Sequence, residues 1–375
     1  MSKLNKKIPS ALIILCVIIT SAVAQSGRVR GAAPTTGKAG DQDAIRLRVE
    51  EVLLPVSVRS DTGKLPTHLN RQDFVVVEDE KRQQVTSVIR TPANILLILD
   101  AGGAAGSYKN IQIHRDLARQ ILESLGDEDK AAIIAYADKV TVLSSWTGDK
   151  KALRESLDWK FKPGLKSGLY ESLLHAAEEL LPKVEGRRSV VILTDGVDSS
   201  NPAAFNKALA ALHHTRATVY ALSQGNMIQR RLKPIIYNPL AWYEMLDPKV
   251  SKRYRGLRNY YQQIESGRAM LRQLAEETGG AMWDPEARIE CADGGKQSSQ
   301  EWQLKPATDE RAIDCETLRK QIIEEIGTEY VVAYLSERRP DDREFHPIKV
   351  FATRNDIKVR ARRGVYASQP AASKP

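Results

Sequence analysis

The chain has few cysteines for its length, three in 375 residues. Only Cys291 and Cys315 follow the N-terminal apolar segment, and no histidine lies near either of them in sequence. A zinc site built on this pair is therefore disfavoured. In an exported chain a disulfide is the expected state. It would close a loop of about 25 residues and contribute roughly 3–4 kcal/mol on the chain-entropy model.

The chain also lacks an apolar run long enough to be a clear membrane span, which needs roughly 20 residues. Its mostly apolar stretch Ala11–Ala22 follows the lysines of residues 3–7 and runs into Ala22-Val23-Ala24, the pattern of an export signal. We therefore predict a signal peptide over 1–24, a mature protein in the periplasm or outside the cell, and no stable membrane span after cleavage. The alternative is an uncleaved anchor.

A strong excess of one charge is missing as well. The formal net charge is +9, and removing the three lysines of the signal segment leaves +6. The remaining lysines and arginines are scattered among acids, whereas nucleic-acid binding requires a concentrated basic face. We expect no nucleic-acid partner; the one modest candidate for such a face is the segment 225–266.

Strands alternating with helices follow from residue 93, which predicts a doubly wound, mostly parallel α/β domain over 93–329. A close pair of strands at 130–144 predicts one antiparallel edge strand. Two insertions interrupt the domain, at 225–266 and 285–314. Helices are expected at 107–125, 149–159, 169–181, 202–215, 267–277 and 315–327.

Short strand-like stretches separated by turn residues flank this domain. A flexible linker over 25–44 precedes a β module at 45–92, and further strands occupy 330–367 before a disordered tail at 368–375. Three strands alone would make a poor core. We therefore predict that the C-terminal strands pair with the N-terminal module in a small β-sandwich that holds the α/β domain as an insertion.

Two of the predicted parallel strands end in an acid. The apolar run from Asn94 ends at Asp100, and a second run, Ser189–Thr194, ends at Asp195. Because the carboxyl ends of parallel strands form the ligand-binding edge of such sheets, the two acids should meet there. Two carboxylates at one edge suggest a cation site.

Enzyme signatures are weak. The glycine-rich stretch Gly102–Gly106 follows a strand, but it does not satisfy the G-x-G-x-x-G spacing of a dinucleotide site, and Asp100 beside it would repel a pyrophosphate. His114, His175, His213 and His214 fall within predicted helices, and Ser199 and Ser200 lack the surroundings of a nucleophile elbow. A nucleotide-binding α/β enzyme is therefore a disfavoured alternative.

The segment 225–266 mixes aromatic and basic residues, which are enriched where proteins bind one another. We predict a partner surface there, and either a glycan or an acidic protein segment would fit its chemistry. The alternative is a local helical cap that packs these rings onto the domain. The predicted surface comprises Tyr237, Trp242, Tyr243, Arg253 and Arg255.

Several motifs together give the chain a family resemblance over residues 45–366. It resembles the von Willebrand factor type A domain, in the exported bacterial form with β flanks, which implies a Rossmann-like α/β fold. The motifs are the opening residues Leu53, Pro55, Val56 and Val58, Asp73-Phe74 before Val77-Glu78-Asp79, the strand ending at Asp100, Leu169-Tyr170, Leu193-Thr194-Asp195-Gly196, Leu274–Gly280 and Arg360–Tyr366.

The resemblance implies a metal-ion-dependent adhesion site. Asp100 matches its first acid, Ser167 its threonine and Asp195 its last acid, but Gly102 and Ala104 stand where the family has two metal-binding serines. Water could fill these places, so we expect at most weak binding of Mg²⁺ or Mn²⁺. Alternatively, the two acids cap loops by accepting backbone N–H groups.

These observations predict an exported, non-enzymatic binding or adhesion protein. Its protein partner would contact the top of the α/β sheet, around a degenerate metal site. A type A protein that binds its ligand through Mg²⁺ or Mn²⁺ is the alternative.

Overall fold

The α/β fold predicted from the sequence is present. The computed structural model describes residues 50–60, 66, 68–103, 111–199, 203–237, 246–291, 312–337 and 344–366. The predicted signal peptide, linker and C-terminal tail lie outside these residues, as does most of the insertion at 285–314. All the described residues belong to one unit of the fold.

Strands and helices alternate through the middle of the chain and strands predominate at its ends. The strands are β1 (Glu50–Ser60), β2 (Phe74–Glu78), β3 (Lys81–Ile89), β4 (Ala93–Asp100), β5 (Lys130–Tyr136), β6 (Val140–Thr147), β7 (Arg187–Thr194), β8 (Thr218–Ser223), β9 (Met282–Trp283), β10 (Arg288–Glu290), β11 (Ala312–Asp314), β12 (Glu329–Ser336), β13 (Phe345–Ala352), β14 (Ile357–Ala361) and β15 (Gly364–Tyr366). The α-helices are α1 (Ile111–Glu123), α2 (Lys150–Lys160), α3 (Leu169–His175), α4 (Ala203–Thr215), α5 (Gly225–Tyr237), α6 (Pro248–Thr278) and α7 (Cys315–Gly327).

The central sheet has six strands in the order β6-β5-β4-β7-β8-β9, and only the edge strand β6 runs antiparallel to its neighbour. Its middle strands are apolar on both faces because helices cover both sides. Leu97 and Leu99 of β4 join the core formed with α1 and α7. Leu96 and Ile98 join the core formed with α3 and α4.

The flanking strands form a second, antiparallel sheet in the order β14-β1-β12-β3-β2-β13-β15. N-terminal and C-terminal strands are mixed in it, since β1 pairs with both β12 and β14. The sheet curls around one apolar core, to which β1 contributes the alternate side chains Val52, Leu54 and Val56.

Buried polar groups join the two sheets. Glu329, the first residue of β12, accepts hydrogen bonds from the hydroxyls of Thr218 and Tyr220 on β8, each at 3.0 Å. Arg187 at the start of β7 donates to the backbone oxygen of Ile326 at 2.5 Å. Burial raises the pKa of the Glu329 carboxyl. The polar contacts therefore hold β12 against the amino-terminal half of the α/β sheet.

The helix α6 differs most from expectation. The sequence predicted a helix over 267–277, but the structure begins it at Pro248, with Asp247 capping its first turn. Its N-terminal half has only a narrow apolar stripe, which includes Leu257 and Ile264. Charged residues surround that stripe and conceal the helical period.

The two cysteines that follow the N-terminal apolar segment are joined. A disulfide links Cys291, just after β10, to Cys315, the first residue of α7, with 4.9 Å between their Cα atoms. No helix in the described part of the chain is long and apolar enough to cross a membrane.

The buried imidazole of His213 predicts a pH-dependent stability. His213 on α4 is 4% exposed, and its Nδ1 has no hydrogen-bond partner among the described residues. Burial, with a further contribution from Arg362, lowers its pKa from 6.5 to about 4. Below pH 6.5 His213 therefore becomes protonated in the unfolded chain but stays neutral in the folded chain. The free energy of unfolding consequently falls as the pH drops toward 4.

We expect His213 to remove about 2–3 kcal/mol of unfolding free energy between pH 7 and pH 4.5. His213→Phe, which keeps a ring beside Phe345 and Tyr366, should flatten this dependence in urea unfolding at the two pH values. His175→Gln, at a partly exposed position of α3, is the control and should keep it. An unchanged slope in His213→Phe would contradict the assignment.

Candidate functional site at the carboxyl edge of the sheet

Both predicted acids lie at the carboxyl edge of the central sheet. Asp100 is the last residue of β4 and Asp195 follows β7, its direct neighbour. Both are buried, at 0% and 2% exposure. The two carboxylates also act together on the Tyr136 phenol of β5, whose pKa is raised well above 10, mainly by burial and then by the charge of Asp100. The edge therefore gathers acids from adjacent strands.

The carboxylate of Asp100 is engaged by the protein itself. Its Oδ1 accepts the backbone N–H of Gly102 at 2.9 Å, and its Oδ2 accepts the hydroxyl of Thr194 at 2.8 Å. The same Thr194 hydroxyl accepts hydrogen bonds from Tyr136 and from the backbone of Gly196. Thr194 thus stands at the centre of the edge, and the sequence analysis assigned it no role.

Asp195 is capped from two sides. Its Oδ1 accepts the backbone N–H of Val197, and its Oδ2 accepts the hydroxyl of Tyr260, each at 2.9 Å. Tyr260 belongs to α6, which approaches closely enough that a Cβ on Gly267 would lie 1.9 Å from the backbone oxygen of Gly196. The inserted helix therefore covers this corner of the edge.

Ser167 lies against the loop that follows β7. Its hydroxyl donates to the backbone oxygen of Val197 at 2.8 Å. Its backbone oxygen accepts the N–H of Ser199 at 2.7 Å. In the next turn, Asp198 accepts the N–H of Tyr170 at 2.9 Å. The three predicted ligand positions, Asp100, Ser167 and Asp195, thus belong to loops in contact.

Gly102 is held at a backbone contact. A Cβ placed on it would lie 1.9 Å from the backbone oxygen of Lys166, and the next residue, Gly103, donates to the oxygen of Leu165 at 3.2 Å. The loop after β4 therefore closes against the segment before Ser167 in a way that no side chain at position 102 permits.

Comparison with known protein families agrees with this geometry. Residues 94–252 match the family model of the von Willebrand factor type A domain. This chain contains a type A domain. The match includes nearly all of β4, the Ser167 loop and the end of β7, which are the elements that form the edge.

Solved structures also resemble the chain at low identity. One is an aerotolerance-related membrane protein from Bacteroides fragilis, with 14% identity and a TM-score of 0.38 over 63% of this chain and 98% of that one. Another is a von Willebrand factor type A protein from Catenulispora acidiphila, with 12% identity and a TM-score of 0.34 over 60% and 50%. A third is proximal thread matrix protein 1 from the mussel byssus, described with a zinc-occupied MIDAS motif, with 20% identity and a TM-score of 0.32 over 35% of each chain. No curated protein matches the chain.

The donors that the structure describes do not fit the metal site that the resemblance implies for a type A domain. Position 102 offers no hydroxyl, and a Cβ there would lie 1.9 Å from the backbone oxygen of Lys166, so the loop has no room for a serine. Each oxygen of Asp100 accepts a protein hydrogen bond, which leaves fewer lone pairs for a metal ion. No group of three or more metal-ligating residues of the His, Cys, Asp or Glu type occurs in the described ranges. Ala104, the other replaced serine, lies outside them.

The predicted partner surface is only partly described. Tyr237, Arg253 and Arg255 lie on α5 and α6, and all three are exposed. Trp242 and Tyr243 lie outside the described residues. Other rings of the insertion pack inward, as the alternative of a helical cap predicted: the Tyr254 hydroxyl donates to the backbone oxygen of Ile236 at 2.6 Å.

Two exposed apolar residues near the edge were missed. Trp159 is 76% exposed and Leu165 is 68% exposed. Because β6 runs antiparallel to β5, the chain leaves the carboxyl edge along β6 and returns to it along α2. Trp159 near the end of α2 and Leu165 just after it therefore lie at this edge. Trp159 does not lie on the face of α2 that buries Leu153 and Leu157. A tryptophan outside the apolar period of its helix could have been recognised in the sequence as an exposed ring.

The Gly102 contact predicts that restoring the family serine is harmful. Gly102→Ser should destabilise the protein by about 2–3 kcal/mol, because the new side chain collides with the Lys166 carbonyl. Gly256→Ala, in open space on α6, is the control and should be neutral or slightly stabilising. Chemical denaturation measures both. Equal stability of Gly102→Ser and the parent protein would refute the close contact.

The role of Thr194 can be tested by an isosteric change. Thr194→Val removes the hydroxyl and leaves Asp100, Tyr136 and the Gly196 N–H without this partner, so we expect a loss of about 3 kcal/mol. Thr194→Ser keeps the hydroxyl and should lose only about 1 kcal/mol. If the two variants unfold at the same denaturant concentration, the hydroxyl does not hold the edge together.

Proposed function

We propose that this chain is an exported, non-enzymatic protein whose type A domain binds a protein partner at the carboxyl edge of its sheet without relying on a metal ion. The observation that carries the metal independence is the engagement of Asp100, whose two oxygens accept from Gly102 and Thr194. A carboxylate that accepts hydrogen bonds from two neighbouring residues stabilises the conformation of the edge.

The exposed apolar residues beside the edge support a protein partner. Trp159 and Leu165 present large side chains to solvent, and a tryptophan surrounded by polar groups is a frequent anchor of protein interfaces. Gly103 fixes the Leu165 backbone through a hydrogen bond. The backbone at Leu165 is therefore held in place before binding, which lowers the entropy lost on association.

A groove next to Asp195, lined in part by polar side chains, extends the proposed contact. It has a volume of about 460 Å³ and lies between α6 and the loop after β7. Asp198 and Tyr170 line it together with the amide groups of Asn259, Gln262 and Gln263. Such a groove suits hydrogen-bonding side chains of a partner, whereas Trp159 and Leu165 suit its apolar ones.

Export is supported by two independent features. The N-terminal sequence has the order of a signal peptide. The disulfide between Cys291 and Cys315 is typical of proteins that fold in an oxidising compartment.

The absence of a dinucleotide fingerprint in the sequence and the general role of type A domains in protein interaction support a non-enzymatic function.

Metal titration tests the metal-independent part of the proposal. Isothermal titration of the purified protein with MgCl₂ or MnCl₂ should show no saturable binding at concentrations up to about a millimolar, since position 102 supplies no hydroxyl ligand and Asp100 is partly engaged by protein hydrogen bonds. Saturable binding that is lost in Asp195→Asn would contradict this part and would favour metal-dependent ligand binding.

Partner capture tests the edge itself. The immobilised protein should retain the same partner from an envelope extract with and without chelator. Trp159→Ser and Leu165→Ser should each weaken its binding by about 5- to 30-fold. Phe351→Ser, at an exposed apolar position of β13 in the flanking sheet, is the matched control. Retention that disappears with chelator, or equal losses in all three variants, would contradict the proposal.

A further inference from the structure

The helices α5 and α6 form an antiparallel hairpin at the carboxyl edge. α5 begins directly after β8, and its apolar face, with Ile228 and Leu232, packs against Ile264 of α6. The Tyr254 hydroxyl fixes the end of α5 through the Ile236 carbonyl. The inner faces of α5 and α6 therefore pack against each other, and their outer faces remain exposed.

These outer faces are strongly basic. The described residues 225–237 and 246–258 contain eight lysines and arginines but one acid, Asp247. The Asp247 carboxylate caps the first turn of α6 by accepting the Lys249 N–H at 2.8 Å. Among the described residues, no ion pair involves the exposed cations Arg230, Lys233, Lys249, Lys252, Arg253, Arg255 and Arg258.

Exposed apolar side chains occur at the end of the hairpin away from the sheet. Tyr237, the last residue of α5, is 66% exposed, and Leu246, just before α6, is 70% exposed. The contact between Tyr254 and Ile236 places the start of α6 beside the end of α5, about 20 Å of helix beyond β8. We define the hairpin tip as Tyr237, Leu246, Lys249, Lys252 and Arg253.

We propose that the hairpin tip binds the surface of an anionic phospholipid membrane. Cations alone would suit any polyanion, but large apolar side chains among them match a lipid interface, where the apolar groups enter the headgroup boundary and the cations contact lipid phosphates. The proposal does not depend on the protein partner of the edge, because the tip and the residues Trp159 and Leu165 are on different elements.

Vesicle sedimentation tests the proposal with the purified protein. It should bind vesicles of phosphatidylglycerol and phosphatidylcholine in about a 3:7 ratio, release from them as NaCl rises, and bind pure phosphatidylcholine weakly. The double variant Lys252→Gln/Arg253→Gln should lower the partition coefficient by about 25-fold, because each cation near the surface contributes about fivefold. Leu246→Ser should lower it by about fivefold.

The matched control is Lys81→Gln/Arg82→Gln, which removes two exposed cations from β3 of the flanking sheet and should bind vesicles as the parent does. All variants change exposed residues, and unchanged thermal unfolding verifies that they fold. Equal losses in control and tip variants, or no binding to anionic vesicles, would overturn the proposal. Binding to RNA or an acidic peptide that the tip variants lose, without vesicle binding, would identify a polyanion site instead. The edge proposal would survive either failure, since the tip variants should still capture the protein partner.

Discussion

The geometry of the edge depends on one hydroxyl group. Asp100 is fully buried, and a buried carboxylate is tolerated only when hydrogen bonds replace the water it has lost. Thr194 supplies one of these bonds and at the same time accepts from Tyr136 and Gly196. The hydroxyl oxygen of Thr194 thereby connects β4, β5 and the loop after β7 by hydrogen bonds. The edge is consequently preorganised by contacts within the protein.

Much of the fold could be predicted because its signals are local. The apolar runs that end at Asp100 and Thr194 identify parallel strands, and α7 begins at Cys315 and ends at Gly327, as its apolar period predicts. The early start of α6 was not predictable in the same way, since charged residues such as Arg253, Arg255 and Arg258 interrupt the apolar period of its N-terminal half. That half of the helix is stabilised by packing on α5, a contact between segments that sequence periodicity does not reveal.

The candidate site could likewise be predicted only in part from the sequence. Position-by-position likeness to type A domains identified Asp100, Ser167 and Asp195, and the structure brings their loops into contact. It did not reveal that Gly102 abuts the Lys166 carbonyl or that Tyr260 reaches Asp195 from a distant helix. Both are consequences of backbone approach and of an insertion. The glycine at position 102 therefore has a structural reason in this chain, because the loop lies against the Lys166 carbonyl.

The position of β1 between two C-terminal strands has a consequence for biosynthesis. β1 lies between β12 and β14, so both of its neighbours are made only after the whole α/β domain has emerged. Until then its backbone donors and acceptors have no strand to pair with, and unpaired strands of this kind are prone to aggregation. A nascent chain would thus carry an incomplete sheet near its leading end, a state for which a holding chaperone would be an effective safeguard.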